Sequence, residues 1–117
     1  MSVTVLRQGT NLIASVQSVL SDEDWLLLQR QLADQAARER CFGVLLDVGH
    51  VDVLDSFAAR MLQRISRTLR LRGVETVVVG IAPEVAYAMA QMGLRLDGVV
   101  AALDLDRGLE ALPRPGR

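Results

Sequence analysis

No lysine occurs among the 117 residues; all thirteen basic residues are arginine. That excludes a P-loop lysine, a Schiff-base lysine and the lysine of a two-component receiver domain, whose length the chain would otherwise fit. With one cysteine, Cys41, and one histidine, His50, neither an internal disulfide nor a conventional zinc site can be assembled, and no metal or cofactor is expected. Aromatic residues make up 3% of the chain, too few to build a stacking platform for bases or sugars. The formal charge of −1 supplies no strong field toward nucleic acid or anionic lipid, so neither is expected as a partner. No apolar run approaches the roughly 18 residues of a membrane span. The opening "MSVTVLRQGTNLIASVQ" is too interrupted by polar residues for a signal peptide, which points to a cytoplasmic chain.

What is present is aliphatic: half the residues are hydrophobic, nearly all of them Val, Leu, Ala and Ile. "VTVLRQ" and "NLIASVQ" are β-branched runs around "GTN", the signature of a hairpin. "LSDEDWLLLQRQLADQAARERC" opens with Ser21 or Asp22 as cap and acids in its first turn. It closes with Arg38 and Arg40 in the last turn, the polarity that a helix dipole favours. "GVLLDV" and "TVVVGI" are unbroken apolar strands, the pattern of burial on both faces. Residues 55–72 are helical by period and closed by Gly73; Pro83 starts another helix that Gly93 stops. "VVAALDL" reads as a short strand and "DRGLEAL" as a last helical turn or two. The order ββαβαβαβα implies an α/β fold with a mostly parallel sheet, flanking helices and an antiparallel edge. Residues 1–112 are expected to form a single domain and 113–117 a disordered tail.

The helix after "GVLLDV" carries the residues of interest. Asp55 stands where an N-cap belongs, which places Ser56 at the first helical position. Ala58, Met61, Leu62, Ile65 and Leu69 cluster on one face, while Arg60, Arg64 and Arg67 form a separate stripe with Ser56 beside it. The Ser56 hydroxyl is therefore expected at a helix N-terminus, at the carboxyl end of a parallel strand, where sites in open α/β sheets gather. A phosphate there would add about −1.5 to −2 charges beside Asp52 and Asp55, altering binding more than folding. The bland reading is that a serine near a helix start only caps. Asp47 is expected to orient the loop, His50 to be a surface loop residue, Cys41 to be buried and Trp25 to pack. Gly80 should let a strand turn tightly toward Pro83; no complete nucleotide-loop motif surrounds it.

Taken with the element order, "DVGHVDVLDSFAARM", "VETVVVGIAPEVA" and "MGLRLDGVVAALDLDRGLEAL" resemble the STAS domain family, and more specifically the RsbS-type antagonists of the stressosome. Simpler anti-anti-sigma members typically read D-S-S-G-L where this chain has Asp55-Ser56-Phe57-Ala58-Ala59. RsbS-type sequences often place Ile-Gly after the Phe, a small departure here. Sensor paralogues add an N-terminal sensing domain and often carry a second phosphorylatable Thr; this chain begins at its first strand and has Ala88 near that place. Both features favour the minimal antagonist.

The resemblance implies a non-enzymatic phosphoprotein. Ser56 would be phosphorylated by a serine/threonine switch kinase of the histidine-kinase-like ATPase type, with His50, Asp52, Asp55, Phe57 and Arg60 forming the docking edge. Unphosphorylated, the domain would co-assemble with sensor paralogues bearing C-terminal STAS domains, as a homo- and hetero-oligomer, and hold the kinase. A phosphatase would reset it. The alternatives are an anti-anti-sigma factor acting directly on an anti-sigma kinase, and a small α/β enzyme or ligand-binding domain using the strand-end crevice.

Overall fold

A computed structural model describes residues 2–113. The expected tail falls, apart from Pro113, outside the described residues. The elements are β1 (Val3–Gln8), β2 (Asn11–Val16), α1 (Asp22–Arg38), β3 (Gly43–Asp47), α2 (Ser56–Leu71), β4 (Glu75–Val79), α3 (Pro83–Gln91), β5 (Val100–Ala102) and α4 (Leu105–Ala111). They form one five-stranded sheet in the order β1-β2-β3-β4-β5. β1 and β2 are antiparallel and the other neighbours are parallel, so the expected mixed α/β sheet is present.

The two unbroken apolar runs lie at the centre. Val44, Leu45 and Leu46 of β3 and Val77, Val78 and Val79 of β4 are all buried, because both faces of these strands are covered. On one face, Leu12, Val44, Leu46 and Val78 pack against Leu28 and Leu32 of α1, Leu62, Ile65 and Leu69 of α2, and Val85 and Met89 of α3. On the other, Leu45, Val77 and Val79 pack with Leu109 of α4 and Leu112 at its C-terminal end. Trp25 is buried in the first of these cores, as expected of a packing residue.

Helix ends follow their local chemistry. Ser21 Oγ accepts the Asp24 N–H at 3.1 Å, which settles the cap of α1 on Ser21. α1 stops at Arg38, so only Arg38 lies in its last turn. Arg40 stands outside the helix at φ 53, where its N–H reaches the Ala37 carbonyl and the Cys41 N–H reaches that of Ala36. Gly73 and Gly93 occupy the same left-handed position after α2 and α3. Among the described residues no helix is long and apolar enough to cross a membrane.

Candidate functional site

The connection from β3 to α2 is held at both ends and exposed in the middle. Asp47 Oδ1 accepts the Gly49 N–H at 2.8 Å, so the strand-end carboxylate orients the loop. Val48 donates to the Val79 carbonyl at 3.0 Å and Val51 to the Val48 carbonyl at 3.0 Å. Val51 and Leu54 are buried, whereas His50, Asp52 and Val53 face solvent. The loop also touches the turn after β4. A β-carbon on Gly80, which sits at φ 81, would meet Asp47 Oδ1 at 3.0 Å and Gly49 backbone atoms at 3.2 Å, so the close approach of the two strand-end loops depends on glycine at position 80.

Helix α2 begins with a clear division of labour. Asp55 is the N-cap: its Oδ1 accepts the Ala58 N–H at 2.8 Å and its carbonyl accepts the Ala59 N–H at 2.9 Å. Ser56 follows at the first helical position, exposed, and among the described residues its hydroxyl makes no hydrogen bond. Phe57 is half-buried and packs on the core; the Arg60 guanidinium lies over its ring, 5.9 Å from the centroid. The core face is as expected, with Ala58, Met61, Leu62, Ile65 and Leu69 buried, and it is wider by Ala59 and Ser66. Arg60, Arg64 and Arg67 are exposed.

His50, Asp52, Asp55, Ser56, Phe57 and Arg60 thus lie within one loop and the first turn and a half of one helix, at the carboxyl end of the parallel strands. Val53, 56% exposed at the loop tip, belongs with them and was not singled out by sequence. Its neighbours Val51 and Leu54 point inward, and no regular period separates the three. Chemically, the place offers an accessible hydroxyl, helix N–H groups that an anion can approach, and two carboxylates to repel one. Cys41 lies elsewhere, buried at the foot of β3. Burial pushes its thiol up, Glu39 adds to the effect and Arg7 opposes it, so the group stays protonated at neutral pH.

The STAS domain pattern matches residues 2–100. A serine-to-glutamate variant of RsbS from Moorella thermoacetica is 30% identical and superimposes with a TM-score of 0.77, covering 94% of this chain and 93% of that one. A chain from the molecular architecture of the stressosome, described as a signal integration and transduction hub, is 28% identical with a TM-score of 0.70, over 92% of this chain and 93% of that chain. RsbRC of Bacillus subtilis (strain 168), an RsbT co-antagonist protein, is 29% identical over 97 residues, 83% of this chain and 34% of RsbRC. The chain spans about a third of the length of the RsbR relatives it matches. With the sheet order, the helix placement and the family pattern in agreement, the chain belongs to the STAS domain family.

Proposed function

We propose that this STAS domain is a non-enzymatic, phosphorylation-controlled antagonist in the cytoplasm. It binds a serine/threonine switch kinase of the histidine-kinase-like ATPase type through the strand-end face around Ser56, and releases that kinase when Ser56 is phosphorylated. The observation that carries the reading is the exposed, unbonded hydroxyl of Ser56 beside a cap already supplied by Asp55. A serine whose only task is capping would make the bond that Asp55 makes. Similarity to RsbS over nearly the full length of both chains supports the antagonist role, and similarity to RsbT co-antagonists supports co-assembly with longer STAS paralogues.

The chemistry is a phosphoryl transfer. Ser56 Oγ forms a bond to the γ-phosphorus of ATP and loses its proton, while the bond to the β-phosphate oxygen breaks and ADP leaves. The phosphate then sits at the start of α2, where the helix dipole tolerates it. Asp52 and Asp55 make that edge strongly negative, and a partner with acidic groups facing it is repelled at short range. Phe57, Val53 and His50 supply the less polar part of the docking face, and Arg60, stacked on Phe57, borders it. A phosphatase returns the serine to its first state.

Ser56→Asp is expected to keep the circular dichroism and melting temperature of the parent while weakening kinase binding at least tenfold by calorimetry; Ser56→Ala should bind like the parent. Equal affinity of the parent and Ser56→Asp would overturn the reading. The anti-sigma alternative is separated in the same titration, because the domain would then bind an anti-sigma kinase and displace a sigma factor from it.

A further inference from the structure

Charge is segregated along the strand direction although the net charge is only −1. Nine of the fourteen acids stand where the parallel strands end: in the first turn of α1 (Asp22, Glu23, Asp24), between β3 and α2 (Asp47, Asp52, Asp55), and at the starts of α3 and α4 (Glu84, Asp104, Asp106). Arg38, Arg40, Arg70 and Arg72 gather around the opposite ends of α1 and α2. Helix dipoles account for acids at helix starts and arginines at helix ends. They do not account for Arg30 and Arg64, which lie mid-helix and line a solvent-facing groove of about 350 Å³ between α1 and α2.

That groove has the character of a docking surface. Its apolar part is Leu26, 47% exposed, and Ala33; Arg30, Arg64 and Arg72 flank it, with Asp34 as one carboxylate along the wall. Among the described residues, ion pairs form between Arg70 and Glu75 and between Arg107 and Asp104, and none involves the three groove arginines. The same chain presents a segment of opposite character just before and within the first turn of α1. Val19 is 56% exposed there, immediately ahead of Asp22, Glu23 and Asp24.

We propose that the α1–α2 groove docks the Val19–Asp24 segment of a second copy of this chain, the apolar Val19 against Leu26 and the three carboxylates against Arg30, Arg64 and Arg72. Groove and segment adjoin on α1, so one copy's segment enters its partner's groove and the same contact can be returned about a two-fold axis, closing a dimer. The contact uses neither Ser56 nor a kinase, so it stands or falls apart from the switch.

Sedimentation velocity of the purified chain tests it. At low ionic strength the weight-average sedimentation coefficient should rise with concentration, and it should fall to the monomer value at high ionic strength, where charge interactions are screened. The groove variant Arg30→Glu/Arg64→Glu and the segment variant Asp22→Arg/Glu23→Arg/Asp24→Arg should each remain monomeric alone. Mixed in equal amounts they should associate again, because each now carries the complement of the other. The neutral versions, Arg30→Gln/Arg64→Gln and Asp22→Asn/Glu23→Gln/Asp24→Asn, keep the test open if a reversal fails to fold. Alone they should be monomeric; mixed, they should associate no further than one-to-one pairs, because one intact groove still meets one intact segment. A parent chain that is monomeric at every concentration and low salt, or a charge-reversed pair that folds but does not associate when mixed, would overturn the proposal.

Discussion

Asp55 and Ser56 are neighbours with different tasks, and stability measurements can separate them. Asp55 closes the first turn of α2 with a 2.8 Å bond, so Asp55→Ala should lose about 1 kcal/mol. Ser56→Ala removes an exposed hydroxyl without a partner and should stay within about 0.5 kcal/mol of the parent. Urea midpoints at constant slope are the readout; a larger loss at Ser56 than at Asp55 would restore the capping role to the serine. Arg40 is the second residue with a definite expectation. It holds a left-handed conformation that costs a residue with a β-carbon about 1 kcal/mol, at a position equivalent to Gly73 and Gly93. Arg40→Gly should therefore raise stability by roughly 0.5 kcal/mol or more, and an unchanged or lower urea midpoint would count against strain at this turn. Asp55 was legible in the sequence because an aspartate before an apolar period marks a helix start. Arg40 was not, since an arginine after a helix looks like a favourable last-turn charge until the backbone is seen to leave the helix.

Among the elements, β3 and β4 were readable because burial on both faces writes an unbroken apolar string. α2 was readable because its covered face repeats at the helical period. β5 was expected within "VVAALDL", yet only Val100–Ala102 pairs with β4, and residues just beyond lead into α4. The loop between β3 and α2 was the least legible part of the site: Val51 and Leu54 turn inward while Asp52 and Val53 turn out, an order set by tertiary contact and not by period. α4 is the element most dependent on packing. Seven residues are too few for a stable helix in isolation, and Gly108 brings it so close to the sheet that a β-carbon would meet Val79 Cγ1 at 2.5 Å and Leu45 Cδ1 at 2.8 Å. Gly108→Val should cost about 2 kcal/mol through overpacking and speed amide exchange across residues 105–112. Unaltered exchange in that segment would show that α4 is not held through this contact.

At the scale of the whole molecule, the sheet separates two unequal layers. Three helices cover one face and α4 with Leu112 covers part of the other, while the carboxyl ends of the strands gather both glycine-bearing loops and the start of α2. The strands thus present a short, anchored loop and one accessible hydroxyl on an acidic end; under the proposed function, a phosphate added there would alter recognition without disturbing the core beneath it. The fold and family were legible because pattern and motif agree along the chain. The central claim, that Ser56 is the residue modified by the kinase, is tested most directly by incubating the chain with the kinase and ATP and mapping phosphate by mass spectrometry. The account predicts a single phosphate on Ser56 and none on the Ser56→Ala variant; phosphate at another residue, or full labelling of Ser56→Ala, would contradict it.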